Sequence, residues 1–266
     1  MNAKVRVVEA GLVPYGVAFD AQKQLEAARH RGAIPDLLLL LEHPPVFTKG
    51  RRTEPAHLPM GEDWYRMQGI EVFQTDRGGQ VTYHGPGQLV AYPILDLSPE
   101  GDVVAYVRRL ERVMIATLGD FGVPAQVFGG LTGVWTAGDP PVASGEAGPQ
   151  RTPVGHATLP GAEGARKIGS IGIHVNRAVT THGLAVNVNN DLQPFEWVVP
   201  CGIDGVRMTS VCRELGAEQD MAAFADAVRD RFCEVVEREP LAVEPARLEA
   251  AVAGLDLGAG SGVAVR

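Results

Sequence analysis

Five consecutive leucines, Leu37 to Leu41, sit between Asp36 and Glu42 and are followed at once by His43-Pro44-Pro45. A short, wholly apolar run bounded by turn residues reads as a buried strand. The two prolines lack the amide hydrogen that a ladder needs and forbid its further pairing. The run falls far short of the ~20 apolar residues that span a bilayer, so it belongs to the core of a folded domain.

The pattern around that strand sets the fold class. Residues 15–31 read as an amphipathic helix with Ala18, Ala21, Leu25 and Ala28 on one face, stopped by Gly32 and Pro35. Residues 103–121, stopped by Gly122 and Pro124, and residues 221–238, with Phe224, Val228, Phe232 and Val235 aligned, read as two more. Strand patterns fall at 5–8, 72–73, 81–83 and 89–95, and residues 167–188 read as two strands joined near 179–182. Strands and helices mix without a strict βαβ rhythm, so the expected class is α+β, a mixed β-sheet with flanking helices.

Length and composition fit one large domain or two small ones. The 266 residues include 32 glycines and 19 prolines, against a usual share of about 12% for the two together, so many turns are expected. Residues 137–165 are rich in Ala, Gly, Pro and Ser with almost no large apolar side chains, which reads as a flexible insertion within a main domain of residues 1–240. Residues 241–266 read as an Ala/Gly-rich tail, whose Gly258-Ala259-Gly260-Ser261-Gly262 imitates a dinucleotide fingerprint but precedes no helix. With 24 basic and 32 acidic residues the net charge is −8, which argues against a general nucleic-acid binder. The three cysteines, Cys201, Cys212 and Cys233, form no CxxC pair and suit a reducing, cytoplasmic setting. No signal-peptide pattern and no membrane span are read in the chain, and a monomer is expected because no coiled-coil pattern asks for a partner.

There is no phosphate-binding P-loop, HExxH, G-x-S-x-G or EF-hand loop, and no metal-ligand spacing. Three Gly-dense polar segments stand out instead. The first runs Arg77-Gly78-Gly79-Gln80-Val81-Thr82-Tyr83-His84-Gly85-Pro86-Gly87-Gln88; it suits either a backbone that hugs a ligand or an ordinary hairpin with a Pro-Gly turn. The second is Lys167-Ile168-Gly169-Ser170-Ile171-Gly172, whose lysine, taken alone, reads first as a solvated strand edge. In the third, Val199-Pro200-Cys201-Gly202-Ile203, Pro200 and Gly202 would present Cys201 on a tight turn. A cysteine packed as a small hydrophobe describes Cys212 and Cys233 better. A thiol with its usual pKa of about 8.5 is mostly protonated at neutral pH, and a neighbouring ammonium favours the thiolate. Cys201 with Lys167 would therefore suit acyl transfer from a thioester to an amine.

These segments resemble the lipoyl(octanoyl) transferases of lipoate biosynthesis, a family within the biotin/lipoate protein ligase-like fold. The likeness spans roughly residues 5–240. Glu42-His43-Pro44-Pro45-Val46-Phe47-Thr48 is similar to the family's early loop, and Arg77 to Gln88 to its signature. Lys167 to Gly172, His182-Gly183-Leu184-Ala185 with Asn187, and Pro200-Cys201-Gly202-Ile203 with Thr209-Ser210 follow in family order. The insertion and the tail depart from the family pattern.

The resemblance implies a set of roles. Cys201 would take octanoyl from the phosphopantetheine thioester of acyl carrier protein, and Lys167 would lower its pKa and help deprotonate the acceptor lysine. Arg77, Gly78, Gly79, Gln80, Val81, Thr82, Tyr83 and His84 would line the acyl pocket with Ser170, Ile171, Gly172, Gly183, Leu184 and Ala185. His43, His84 and His182 would line the site or serve as structural histidines. The acceptors would be lipoyl domains of 2-oxoacid dehydrogenase complexes and the glycine-cleavage H protein, with no resident cofactor, metal, nucleic acid or membrane. Arg51, Arg52, Arg108, Arg109 and Arg112 cluster in sequence and would steer the acidic carrier protein. The rival readings are an ATP-dependent lipoate–protein ligase, a hydrolase using Cys201 with His182 and Asn187, and a non-catalytic lipoyl-domain binder.

Overall fold

The structure, a computed structural model, describes residues 3–98, 101–136, 164–199 and 206–245. Cys201 with its Pro200 and Gly202 neighbours, most of the insertion and the end of the tail lie outside the described residues. Along the chain, β1 (Ala3–Leu12) and α1 (Tyr15–His30) lead to β2 (Asp36–Glu42). Next come β3 (Val46–Lys49), α2 (Glu62–Met67), β4 (Glu71–Gln74), β5 (Val81–His84), β6 (Gln88–Ile94) and α3 (Val103–Asp120). After β7 (Gln126–Phe128) and β8 (Leu131–Thr136) come the long hairpin β9 (Arg166–Asn176) and β10 (Val179–Asn187). The chain ends in β11 (Arg207–Met208), α4 (Val211–Leu215), α5 (Met221–Val235) and β12 (Arg238–Pro245).

Among the described residues the main sheet has the order β12-β1-β2-β6-β10-β9-β8-β7, with β11 added alongside β9. It is mixed: β1 runs parallel to both β2 and β12, whereas β2, β6, β10, β9, β8 and β7 pair antiparallel in turn. The fold is thus α+β, a mixed sheet with flanking helices.

The leucine run shows why. Leu37, Leu39 and Leu41 pack with Ala18, Ala21, Leu25 and Ala28 of α1 on one face. Leu38 and Leu40 pack on the other with Leu110 and Met114 of α3 and Phe224 and Phe232 of α5. Successive strand side chains alternate faces, so an uninterrupted run requires a strand covered on both sides. Each leucine so buried contributes about 1.5–3 kcal/mol. As the prolines require, β2 stops at Glu42; the chain then enters a second sheet of order β4-β3-β5, which closes a third core around Phe47, Tyr65 and Phe195.

Three boundaries differ from expectation. The β9–β10 turn is at Arg177 and Ala178, both at positive φ (43° and 69°), and not at 179–182. Neither residue is the glycine or asparagine that normally marks such a turn. The Val-Thr-Thr-His that follows has ordinary β propensity and pairs along β9. The last helix ends at Val235 because Glu237 turns left-handed (φ 54°) and releases the chain into β12. That strand pairs with β1 from Arg238 onward, so it runs across position 240.

Candidate active site

A cavity of about 310 Å³ lies between the segment leading into β5 and the hairpin β9–β10, and Tyr15, Val107 and the start of β8 at Leu131 and Thr132 also line it. Arg77, Gly78, Gly79, Gln80, Val81, Thr82 and His84 line it on one side. Lys167, Ser170, Ile171 and Gly172 of β9, and Gly183, Leu184 and Ala185 of β10, line it on the other. Tyr83 does not: on a pleated strand it faces away from Thr82 and His84, and its ring packs against Phe47 and Phe195, each 5.5 Å away. Glycine at 183 is a packing requirement, since a Cβ there would fall 2.1 Å from the Ala91 carbonyl oxygen of β6.

Arg77 is buried, and its guanidinium donates to the Thr48 carbonyl (2.6 Å), the Thr48 hydroxyl (2.8 Å) and the Gly78 carbonyl (2.9 Å). These bonds fasten the glycine-rich segment to β3, and the Gly78 amide ties it to β9 by donating to the Ile173 carbonyl (2.8 Å). Beside it, Asp76 accepts from His182 Nε2 (2.8 Å) and Lys23 Nζ (2.5 Å). The His182 hydrogen bond is the chief reason its carboxyl titrates well below the usual carboxylate range.

Three histidines gather around this end of the cavity, and all are buried. His43 donates from Nδ1 to the Val13 carbonyl (2.7 Å) and accepts the Tyr92 hydroxyl at Nε2 (2.8 Å). Burial lowers its pKa to about 4. Gln88 gives its amide hydrogens to the Tyr83 carbonyl and Asn187 Oδ1, so its oxygen accepts from His84 Nδ1 at 2.6 Å. That leaves His84 Nε2 as a lone-pair nitrogen, with its pKa pushed well below the ordinary value, chiefly by burial. His182 is neutral for the same main reason, with its N–H committed to Asp76. It also stands at φ 56°, with its backbone amide turned to Gln22 Oε1 (2.6 Å). Tyr15 stacks on His84 at 5.9 Å, and burial raises its hydroxyl to about 12. Asp76, Tyr15 and Tyr92 were not expected from sequence; only Asp76, adjacent to the signature arginine, carried a local hint.

Lys167 is 3% exposed and its ammonium lies 5.5 Å from the centre of the Trp135 ring on β8. Gly133, at φ 111°, makes room for it: a Cβ there would meet Lys167 Cε at 2.9 Å and the Gly169 carbonyl oxygen at 2.6 Å. The segment that holds Cys201 departs after Val199, whose amide donates to the His57 carbonyl (3.1 Å). It returns in β11, where Met208 pairs with Lys167.

The hydrolase reading loses its geometry. His182 and Asn187 are five residues apart on one strand, roughly 16 Å, too far to share one proton relay. Asn187 is engaged with Gln88 and the Thr209 carbonyl. Among the described residues no three His, Cys, Asp or Glu side chains could hold a metal ion, and no helix is long and apolar enough to cross a membrane.

Residues 14–233 match the family described as the lipoyl protein ligase A/B catalytic domain. The chain is 39% identical over 243 residues to an octanoyltransferase of Koribacter versatilis, covering 90% of this chain and 87% of that one. It is 42% identical over 232 residues to an octanoyltransferase of Mycobacterium leprae, covering 85% and 87%. Among solved structures, the bi-partite lipoate protein ligase of Thermoplasma acidophilum superposes with a TM-score of 0.64 at 16% identity, over 96% of this chain and 92% of that one. At that identity the likeness is one of fold. With the sequence relatives it agrees on one conclusion: the chain belongs to the octanoyltransferase family of lipoyl protein ligase A/B catalytic domains, and is an acyltransferase.

Proposed function

We propose that the enzyme moves an octanoyl group from acyl carrier protein to the acceptor lysine of a lipoyl domain through a thioester on Cys201. The Cys201 thiolate attacks the carbonyl of the octanoyl–phosphopantetheine thioester, and the pantetheine thiolate leaves with the proton of the Lys167 ammonium, which becomes a neutral amine. The acceptor amine then attacks the Cys201 thioester, its proton passes to Lys167, and the amide forms as the Cys201 thiolate is released. No ATP is consumed, because the energy of the amide bond comes from the incoming thioester. Octanoyl would lie in the cavity and needs no resident cofactor.

The observation that carries this function is a buried lysine lining a cavity of acyl-chain size and paired through its backbone with β11, the strand that follows the Cys201 segment. Acceptor choice is supported by the fold: the Thermoplasma ligase was studied as a lipoylation system together with its E2 lipoyl domain. Intact-protein mass spectrometry after mixing with octanoyl-acyl carrier protein, without ATP, tests the route. One octanoyl adduct on Cys201 that disappears on adding an apo lipoyl domain is expected. No adduct, with transfer only when ATP and free octanoate are supplied, would make the chain a ligase instead.

Electrostatic steering of the donor is a second expectation. Arg52 and Val107 of α3 both line the cavity, which brings the Arg51-Arg52 pair near the helix that carries Arg108, Arg109 and Arg112. Changing Arg51 and Arg112, both exposed, to glutamate should lower kcat/KM for the acidic donor about tenfold at low salt. The gap should close as ionic strength rises. An unchanged rate and salt dependence would remove this patch from donor docking.

A further inference from the structure

Thr209 has no role in the chemistry above, yet it is fully buried with every polar group engaged. Its amide donates to the Lys167 carbonyl (2.9 Å), and its carbonyl accepts from Asn187 Nδ2 (3.0 Å). Its hydroxyl donates to Glu214 Oε1 (2.5 Å). Glu214, on α4, is in turn gripped by Arg166, whose Nε and Nη2 each donate to a carboxylate oxygen at 2.9 Å. Burial opposes the charge on Glu214, but Arg166 and the Thr209 hydroxyl hold its carboxyl below the ordinary range. Ser210 caps α4 by accepting the Arg213 amide (3.2 Å), and the Cys212 amide donates to the Val188 carbonyl (2.8 Å). Both ends of the clamp are therefore anchored.

The placement matters because Arg166 precedes Lys167 on β9, and Thr209 follows the two residues of β11 that pair with Arg166 and Lys167. One threonine thus ties the backbone of Lys167 to the chain returning from Cys201. Through Asn187 and Gln88 it also reaches His84 on the far side of the cavity. A bidentate arginine–carboxylate pair has a fixed geometry, and a buried network that is fully satisfied enforces one arrangement.

We propose that Glu214, Arg166 and Thr209 form a positioning clamp that sets Lys167 at working distance from the Cys201 segment. None of the three touches the acyl group. Their role rests on the assignment of Cys201 and Lys167, and the test separates the two.

The experiment measures the pH profile of iodoacetamide alkylation at Cys201, by peptide mass spectrometry, and single-turnover acylation by octanoyl-acyl carrier protein. Thr209→Val, which keeps the shape and removes the hydroxyl, should shift the alkylation profile to higher pH and slow acylation by up to about 100-fold. Glu214→Gln should act in the same direction, since it turns an amide donor toward a guanidinium donor. Thr209→Ser, which keeps the hydroxyl, should restore both the profile and the rate. If the first two variants acylate and alkylate as the parent does, or lose only thermal stability, the clamp is structural and the proposal is overturned. If the parent itself takes no octanoyl on Cys201, the assignment of the nucleophile fails, and the clamp fails with it.

Discussion

Lys167→Met is expected to leave the protein folded and to slow octanoyl transfer by about 100- to 10,000-fold, the usual range for loss of a positioned acid–base group. The lysine stem runs through a slot that Gly133 leaves open, beside the Trp135 ring. Methionine has a similar unbranched stem, fills that slot and brings no charge into a buried site. What disappears is the ammonium. Without it a thiolate at Cys201 is less favoured, and the neutral amine that it becomes after protonating the leaving thiol is no longer there to take the proton of the acceptor amine. Lys167→Arg separates these duties. It keeps the charge, but a guanidinium cannot accept a proton at neutral pH and is too broad for the slot. Rapid-quench assays should therefore show Lys167→Met failing at acylation of the enzyme, and Lys167→Arg failing most at discharge to the lipoyl domain. Transfer within threefold of the parent in both variants would show that the lysine only packs.

How much of this was legible depended on whether the signal was local. The leucine run, the apolar stripes of α1, α3 and α5, and the glycine pattern around Arg77 and Gly172 follow from neighbours in sequence and reappear in the fold. The glycine at 183 was visible as a letter, but its reason, the Ala91 carbonyl against β10, belongs to strand pairing across the molecule. The turn at Arg177-Ala178 was not legible because it uses residues without the usual turn chemistry. The parallel pairing of β12 with β1 joins the two ends of the described chain, which periodicity cannot reveal. The site divides the same way. Lys167 and the Arg77 segment stand in short glycine-dense motifs, as does the Cys201 proposed above, but those motifs read equally well as a strand edge, a hairpin and a packed thiol until the family resemblance joins them. Asp76, Tyr15 and Tyr92 matter only because folding places them against His182, His84 and His43.

Those three histidines make a second large effect. Stability should fall steeply as pH drops from about 6.5 toward 4.5, above the range in which most carboxylates titrate. His43 is neutral in the folded protein with a pKa of about 4, whereas in the unfolded chain it returns to about 6.5. Between those values the unfolded state binds a proton that the folded state refuses, so stability rises with pH and is lost as pH falls. For His43 alone the full span amounts to roughly 3 kcal/mol. His84 and His182 are shifted in the same direction, again chiefly by burial, and add to the slope. The rings of His43 and His84 lie 5.6 Å apart, so a proton on one opposes a proton on the other, which deepens the penalty. Asp76 and Glu214 are depressed carboxylates; their stabilisation is present above the ordinary carboxylate range and is lost only below about pH 4. The window above that belongs to the histidines. Urea midpoints at a series of pH values between 7.5 and 4.5 should stay level above 7 and drop sharply below 6.5. His43→Gln can still donate to the Val13 carbonyl and accept the Tyr92 hydroxyl, so it should lower stability at neutral pH yet flatten the descent. A parent curve that stays level to pH 4.5, or a variant with an unaltered slope, would mean that these rings accept protons without disturbing the fold.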